Sequence, residues 1–540
     1  MVARPSHDAK MRAMPRSFAV VLALAAALPA QQTAAPRTVP EASGHTATSR
    51  LADVERFVAA CRALPHGDRL QVRELGRSHA DRALTAVHVR TGAGRPLRAL
   101  LLGNIHGGEV EGKEALQLVL RECALGEHGE LLAHVELCCV PVYNPDGNEA
   151  MAAGNRPGQN GPFPIGERAN AQGLDLNRDL VKVEAPETRV LLQLFRDFDP
   201  HLFVDLHTTN GSFHGFHLTY APSLSPNVDP ALAHATRTLL DDATVALASA
   251  GFAAFDYGNF EQRPERGYYT YDHRARYAVN YFGLRNRIGV LSEAYSYDDF
   301  ATRIAATRTF VLGLLHALVA QREPVLAACA TADRLVTAPE LQVWFGSETT
   351  FAPAVVEAVQ QSEVERVEAD GARPMHFVRR APTGSERMPV VRAFRAERWR
   401  VLPQGWALPD PEPDVLDRLV SHGVEHHRLA APTRVQARTF VVERRRKPKR
   451  PYQGHQELVL EGAWQPAAMF ELPAGTLVVP ARQRLARVAA TLLEPESEDS
   501  LSTWNFLEAR TTDRYPVLRL DQAPPPPSLP AEQPQRQRER

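Results

Sequence analysis

The sequence predicts an α/β fold, a mixed twisted sheet covered by helices, followed by a smaller α+β region. Between residues 84 and 320 strand-like apolar runs alternate with helical patterns, which is the order of a sheet with helices on both faces. Polar residues follow directly after several of these runs, at the sheet edge where α/β folds place their sites. After residue 323 short β-like runs mix with helices, which marks the second region.

Strand and helix patterns cover most of the first region. Residues 31–48 are rich in Ala, Thr, Pro and Gln and predict a flexible leader, after which Ser49 is predicted to cap a helix reaching about residue 64. Period-two or continuous apolar runs predict strands at 85–89, 98–102, 135–142, 201–206 and 288–292. Period-3.6 patterns predict helices at 111–123, 187–198, 230–250 and 300–320. Asn144-Pro145-Asp146-Gly147 predicts a tight turn.

The second region, 324–522, is less regular. Short β-like runs occur at 341–345 and 477–479, and a helix is predicted at 413–421, ended by Gly423. The basic run 444–450 is interpreted as a solvated loop, since no aromatic residues are interleaved as a nucleic-acid surface would require. Residues 523–540 are rich in Pro and Gln and predict disorder. The role of this region stays open.

The N-terminus predicts an export signal. Basic residues at 10, 12 and 16 precede the apolar run 18–28, and Pro29-Ala30-Gln31 offers a cleavage point, so residues 1–30 are interpreted as a signal peptide. A membrane anchor is the alternative, but about eleven apolar residues are too few for a bilayer that needs about twenty. We therefore expect an exported protein, periplasmic or secreted, without a membrane span, because no later stretch is long and apolar enough.

Charge and cysteine content exclude several classes. The chain has 62 Lys and Arg against 63 Asp and Glu, so no net field predicts nucleic acid as a partner. The five cysteines show no zinc-finger spacing. Cys138 and Cys139 are adjacent in a predicted strand, where neighbouring side chains point to opposite faces, so buried free thiols are expected.

The segment GNIHGGEVEGKE, residues 103–114, is the strongest local signal for chemistry. His106 and Glu109 follow an apolar run at a spacing of three, and Gly107-Gly108 allows the sharp turn that would bring both side chains to one metal ion. Alone, this motif recurs by chance in many proteins. A third ligand is available in His207, although a strand-end histidine can equally bond to backbone.

Four further polar residues fit a hydrolytic site. Glu293, after the apolar run 288–292, is a candidate base for a metal-bound water, with pairing to a structural arginine such as Arg285 as the alternative. Arg168 and Arg178, with Asn177 beside the second, can hold a planar anion and stabilise an oxyanion. Arginines are common on surfaces, so composition alone leaves this last role open.

Six motifs occur in a fixed order: HGGE, NPDG, the arginine that opens RANAQG, DLNR, DLHT and a glutamate borne on a strand. Together they resemble the zinc carboxypeptidases of the M14 type, the metallocarboxypeptidases, over roughly residues 51–322. The resemblance implies a catalytic domain at 49–323 that cleaves a peptide bond next to a free C-terminal carboxylate. Each motif is weak, whereas their ensemble is specific.

The resemblance also implies roles for individual residues. One Zn²⁺ per chain would be bound by His106, Glu109 and His207, and Glu293 would act as general base and then as general acid. Arg168 would stabilise the oxyanion, and Asn177 with Arg178 would bind the substrate's terminal carboxylate. Asp175 would orient His106. The family's mobile tyrosine falls by spacing on Tyr271, with Tyr268, Tyr269 and Tyr281 nearby, and the specificity residue falls near 276–278.

Three alternatives remain open at this point. Amide deacylases of the aspartoacylase or succinylglutamate desuccinylase type are similar in HxxE, DLNR and DLHxT, but NPDG and the export signal favour a peptidase. An exported enzyme could instead cleave cell-wall peptides. A binding protein with a degenerate site would require a missing ligand, and none is missing. The expected substrate is therefore a peptide or an N-acyl amino acid, with residue preference and oligomeric state left open.

Overall fold

A computed structural model describes residues 35–524, apart from 91, 93, 95, 210, 264 and 508–512. The predicted signal peptide and residues 525–540 of the Pro/Gln-rich tail lie outside the described residues. The strands are β1 Leu70–Arg77, β2 Ala83–Val89, β3 Leu97–Gly103, β4 Val135–Val140, β5 Leu202–Thr209, β6 Leu218–Pro222, β7 Ala254–Asp256, β8 Asn259–Gln262, β9 Arg266–Tyr269, β10 Ile288–Tyr295, β11 Trp344–Phe351, β12 Val355–Val367, β13 His376–Val391, β14 Phe394–Val401, β15 Gly405–Leu408, β16 His427–Arg428, β17 Thr433–Arg438, β18 Phe440–Arg446, β19 Val459–Trp464, β20 Ala468–Leu472, β21 Leu477–Pro480 and β22 Leu518–Leu520. The helices are α1 Val39–Ser43, α2 Leu51–Cys61, α3 Glu111–Leu125, α4 Gly129–Leu132, α5 Pro145–Glu149, α6 Pro186–Phe198, α7 Pro230–Ser249, α8 Ala278–Leu284, α9 Phe300–Ala320, α10 Arg322–Thr337, α11 Pro413–His422 and α12 Ala486–Leu493.

The central sheet has eight strands in the order β1-β2-β4-β3-β5-β10-β6-β7. The four interior strands β4, β3, β5 and β10 run parallel to one another, while β1, β2 and β6 pair antiparallel with their inner neighbours. The parallel strands are buried on both faces, which explains why apolar residues predominate in strands such as β3. Strand β5, with the sequence LFVDLHTT, also buries Asp205 and His207. The predicted mixed sheet covered by helices is confirmed.

The two faces of this sheet contact two different cores. Leu100 and Leu102 belong to one core and Leu101 to the other, as alternation along a strand requires. Cys138 and Cys139 divide between the cores in the same way, and the five cysteines are buried and unpaired. Helices α2, α3, α7, α9 and α10 supply the core on one face. On the other face α6 and α8 share a continuous core with residues of the second region.

The second region is α+β, as predicted, and is built mainly from sheets. A six-stranded sheet has the order β16-β21-β15-β22-β17-β20, and β12 and β13 form a long hairpin whose second strand pairs with β9. Trp406 and Trp504 lie fully buried in the core shared with the central sheet. The basic run predicted as a loop begins inside β18, where Arg444 pairs with Glu461 on β19.

Helix α9 corrects the expectation about membrane spans. It is long and apolar enough to cross a bilayer, contrary to the statement that no later stretch is. However, 61% of the apolar stretch of this helix is buried inside the protein, and residues such as Phe310 and Leu314 lie in the core beneath the sheet. The apolar composition of α9 is explained by burial within the protein.

Several local predictions differ in detail. Arg50, not Ser49, is the residue before α2, and the Ser49 hydroxyl instead donates to Glu114 Oε2 at 2.8 Å. The predicted NPDG turn is the start of α5, capped by the Asn144 side chain. Part of the predicted leader forms α1, capped by Thr38.

Candidate metal centre and substrate pocket

A tight turn after β3 brings His106 and Glu109 together. Asn104, in the left-handed region at φ 63°, donates from Nδ2 to the carbonyls of His106, Gly107 and Glu109 and so fixes the turn. Gly107 is required by close approach, since a Cβ there would lie 2.2 Å from the carbonyl carbon of Gly147. The turn therefore depends on residue types present locally in the sequence.

The three predicted ligands converge on one point. Glu109 Oε2 lies 2.8 Å from His207 Nδ1, and Glu109 Oε1 lies 3.0 Å from His106 Nδ1. The candidate ligand atoms of the three residues lie within 4.8 Å of one another, and all three residues are buried. Although it is near Glu109, the Nδ1 atom of His106 has no hydrogen-bond partner among the described residues. Two imidazoles, one carboxylate and an unsatisfied buried nitrogen fit a divalent cation with an open coordination position.

A carboxylate lies behind each imidazole. Asp175 Oδ1 is 3.0 Å from His106 Nε2, and Asp205 Oδ2 is 2.8 Å from His207 Nε2. Both rings therefore turn Nδ1 towards the centre, the arrangement in which an outer carboxylate fixes tautomer and orientation. Asp175 was predicted by resemblance. Asp205 was missed, although a residue two before His207 on a strand points to the same face.

Arg156 is a second residue that the sequence analysis missed. Its Nη1 donates to Glu109 Oε1 at 3.0 Å, and its Nη2 donates to the carbonyl of Thr208 at 3.0 Å. Burial would raise the pKa of Glu109, but His106 and then Arg156 outweigh this and hold the pKa well below its usual range. Glu109 is therefore ionised and available as a ligand.

Arg168 extends from the ligand cluster towards solvent. Its Nη1 donates to Glu109 Oε1 at 3.3 Å and its Nε to Asp175 Oδ2 at 3.0 Å, while 41% of its side chain is exposed. A guanidinium with exposed surface beside the ligands can reach a substrate oxygen. This is the position that the predicted oxyanion role requires.

Glu293 lies beside His207 across the sheet. The prediction that strands end before His207 and Glu293 is wrong, because β5 and β10 continue past them and pair the two residues in register. Glu293 and the three ligands line one cavity of about 210 Å³. Burial raises the pKa of Glu293 to about 8, with Glu109 acting in the same direction and His207 against it.

Arg178 lies at the same cavity and has several protein partners. The centre of its guanidinium is 3.9 Å from the centroid of the Tyr277 ring, and its Nη1 donates to the carbonyl of Asn177 at 2.8 Å. Its Nε donates to the hydroxyl of Tyr452, in the second region, at 2.9 Å. The Asn177 side chain accepts from the backbone N–H of Ala278 at 2.8 Å. Both predicted carboxylate-binding residues line the cavity.

Aromatic residues form one wall of the cavity. Tyr271 lines it together with Tyr257 and Tyr277, and their rings pack edge to face at 5.4–5.5 Å. The alternatives Tyr268, Tyr269 and Tyr281 do not line this cavity. Within 276–278 only Tyr277 reaches it, while the Arg276 side chain is buried against Asp499 and Glu457.

Comparisons with known proteins identify similar sequences and structures. Residues 58–249, which include the three candidate ligands, match the zinc carboxypeptidase family. Carboxypeptidase 2 of Trichophyton rubrum is 22% identical over 459 residues, covering 80% of this chain and 78% of that protein. Carboxypeptidase Z of Homo sapiens is 38% identical over 115 residues, covering 19% of this chain and 17% of that protein. A metallo-carboxypeptidase structure from Burkholderia cenocepacia gives a TM-score of 0.39 at 17% identity, covering 51% of this chain and 70% of that one.

Proposed function

Because the chain belongs to the zinc carboxypeptidase family of the M14 type and is a metallocarboxypeptidase, we propose that it removes residues from peptides that end in a free carboxylate. The observation that carries this proposal is one cavity lined by a His-Glu-His cluster, a carboxylate on the neighbouring strand and Arg178. The metal and the base would then lie next to the scissile peptide bond, while Arg178 binds the terminal carboxylate of the same substrate.

The proposed metal site consists of His106, Glu109 and His207, with one Zn²⁺ per chain. The unsatisfied Nδ1 of His106 supports it, because a buried imidazole nitrogen without a partner is costly unless a cation uses it. A zinc ion held there supplies Lewis acidity, which lowers the pKa of a water and polarises the scissile carbonyl. Asp175 and Asp205 keep the two imidazoles in the tautomer that presents Nδ1.

The proposed catalytic residues are Glu293 and Arg168. Glu293 takes the proton from the attacking water and returns it to the leaving amine, a role favoured by a pKa above that of an ordinary glutamate. Arg168 donates to the oxygen on which negative charge develops. Its exposed side chain beside Glu109 supports this assignment.

The proposed carboxylate site is formed by Arg178 and Asn177. A guanidinium held by two neutral protein acceptors on part of its edge presents its remaining N–H groups to an anion. Tyr271 covers the bound residue from the aromatic wall. Because Arg178 and the metal ligands line one cavity, a carboxylate bound by Arg178 would place the bond next to the chain terminus near the metal.

The test uses purified protein with and without a chelator. Four sets of substrates are compared by kcat/KM: N-blocked L-dipeptides with a free carboxylate, the same dipeptides with a C-terminal amide, N-acetyl amino acids, and peptides that contain D-residues. The proposal expects chelator-sensitive cleavage of the first set only. Preference for N-acetyl amino acids would instead indicate a deacylase, and cleavage restricted to peptides with D-residues would indicate cell-wall peptides as substrates.

We also propose export, to the periplasm or the medium, on the basis of the sequence pattern in residues 1–30. The assay is cell fractionation with N-terminal sequencing of the mature protein. A mature chain found in the cytoplasm and still carrying residues 14–30 would contradict export.

A further inference from the structure

A tight turn of the second region presses on the segment that bears Arg178. Tyr452 and His455 exchange two backbone hydrogen bonds, at 2.8 and 3.0 Å. Gln453 and Gly454 between them have φ values of 49° and 80°, as in a type I′ turn. A glutamine in the left-handed region is unusual and persists where surrounding contacts hold it. We call these residues the 452–455 turn.

Three side chains of the 452–455 turn contact residues 175–184. The Tyr452 hydroxyl accepts from Arg178 Nε at 2.9 Å, across 274 positions in the sequence. Gln453 Oε1 accepts from the backbone N–H of Asp175 at 3.1 Å. His455 Nε2 lies 3.0 Å from Glu184 Oε1. The turn therefore contacts both ends of the 175–178 segment, which carries the proposed carboxylate site.

Buried charge behind the turn holds Tyr452 in place. The centre of the Arg276 guanidinium is 5.5 Å from the Tyr452 ring centroid and 4.4 Å from a ring of Trp504. Arg276 is itself paired with Glu457 and Asp499 at 2.7 Å and is 2% exposed. Because these groups are packed and paired, the hydroxyl of Tyr452 has little freedom to leave Arg178.

The contact to Tyr452 determines how the Arg178 guanidinium is oriented. Its Nε and Nη1 donate to Tyr452 and to the Asn177 carbonyl, and its face lies on Tyr277. Two acceptors on adjacent nitrogens and a stacked ring define the plane of a guanidinium completely. Without Tyr452, one acceptor is lost and the guanidinium can rotate within its site.

We propose that the 452–455 turn is a positioning element for substrate binding, in which Tyr452 orients Arg178 towards the terminal carboxylate and Gln453 fixes the start of the 175–178 segment. This inference rests on the proposed carboxylate-binding role of Arg178. It assigns to the second region a part in substrate recognition, and it makes Tyr452 a residue that acts through Arg178 without touching the reacting atoms.

The experiment compares full-length wild type with Tyr452→Phe, Gln453→Gly, Arg178→Ala and the control Tyr515→Phe. Tyr515 is a buried tyrosine of the same region whose ring packs against Phe440. Gln453→Gly removes the side-chain acceptor but keeps a residue suited to positive φ. For each protein kcat and KM are measured on a cleaved N-blocked dipeptide with a free carboxylate, together with zinc content and thermal unfolding.

The expected result is a KM about tenfold higher in Tyr452→Phe and about threefold higher in Gln453→Gly, with kcat and zinc content near wild type. Tyr515→Phe should match wild type. An unchanged KM in both turn variants, whatever their melting temperature, would overturn the inference. If KM is nevertheless increased in Arg178→Ala, the proposed function still holds. If Tyr452→Phe does not fold, Gln453→Gly decides. If Arg178→Ala leaves KM unchanged, the proposed carboxylate site fails first.

Discussion

Acidification should weaken the packing of α11 against Val181 and helix α8 through His422. This residue ends α11 and is fully buried. Its Nε2 donates to the carbonyl of Val181 at 3.1 Å, and its Nδ1 lies 2.6 Å from the hydroxyl of Tyr281, which therefore donates to it. Burial lowers the pKa of His422 to about 3, and the charge of Arg285 acts in the same direction. The ring is therefore neutral in the folded protein at neutral pH.

The sign and size of the effect follow from proton linkage. In the unfolded chain histidine has a pKa of about 6.5, so between pH 6.5 and pH 3 the unfolded state binds the proton and the folded state does not. The free energy of unfolding is unaffected by His422 above about pH 7 and falls as pH drops through 6.5. At pH 5, about 1.5 units below 6.5, His422 lowers the free energy of unfolding by about 2 kcal/mol.

The assay is equilibrium urea unfolding of wild type and His422→Gln at pH 7.5 and pH 5. Glutamine retains a donor and an acceptor but does not titrate. Other histidines whose pKa is lowered, mainly by desolvation, make both proteins less stable in acid: His88, His201, His214 and His217. Between pH 7.5 and pH 5 the free energy of unfolding of wild type should fall by about 2 kcal/mol more than that of His422→Gln. Losses equal within about 0.5 kcal/mol would refute the assigned cause.

Four further outcomes test the site. Glu293→Gln should lower kcat at least about a hundredfold with zinc content unchanged by atomic absorption, and retained activity would place the base elsewhere. Arg178→Ala should raise KM for substrates with a free carboxylate, and an equal rise in the inhibition constant of an uncleaved amidated peptide would argue against carboxylate binding. Chelation should abolish activity and added Zn²⁺ restore it, measured by progress curves; activity that survives exhaustive chelation would exclude a metal role. Gly107→Ala should lose zinc, because the new Cβ would lie 2.2 Å from a backbone atom. The control Gly154→Ala, whose Cβ would have no atom within 4 Å, should retain zinc. Equal zinc content in the two variants would contradict the role given to Gly107.

The interior of the fold was predictable because it is apolar. Strands such as β3 and β10 are buried on both faces, so each contains a mainly apolar run that could be found without a structure. Their ends were not predictable in the same way. His207 and Glu293 look like residues after a strand, yet both remain in the paired ladder of β5 and β10 while their side chains line the cavity. Polarity at a strand's carboxyl end marks the site and does not end the strand.

The strands at the edges of the structure were missed for the opposite reason. Most residues of β1, β12 and β13 are half-buried or exposed, so none of the three strands carries an apolar run. Their stability comes from pairing with a neighbour, which the local sequence does not encode. The same limit applies to Arg156, whose role depends on Glu109, 47 positions away, and on the carbonyl of Thr208.

The metal centre and the carboxylate site are held in place by different parts of the chain. This difference separates metal binding from substrate binding in the pocket. His106 and His207 are oriented by Asp175 and Asp205, which belong to the same α/β region as the ligands themselves. Arg178 bonds through its side chain to the Tyr452 hydroxyl of the second region, whereas Asp175 contacts that region through its backbone N–H, which donates to Gln453 Oε1. A change that loosens the second region should therefore weaken recognition of the terminal carboxylate before it weakens metal binding. That order follows from which contacts cross between the two regions, and sequence motifs confined to the first region could not reveal it.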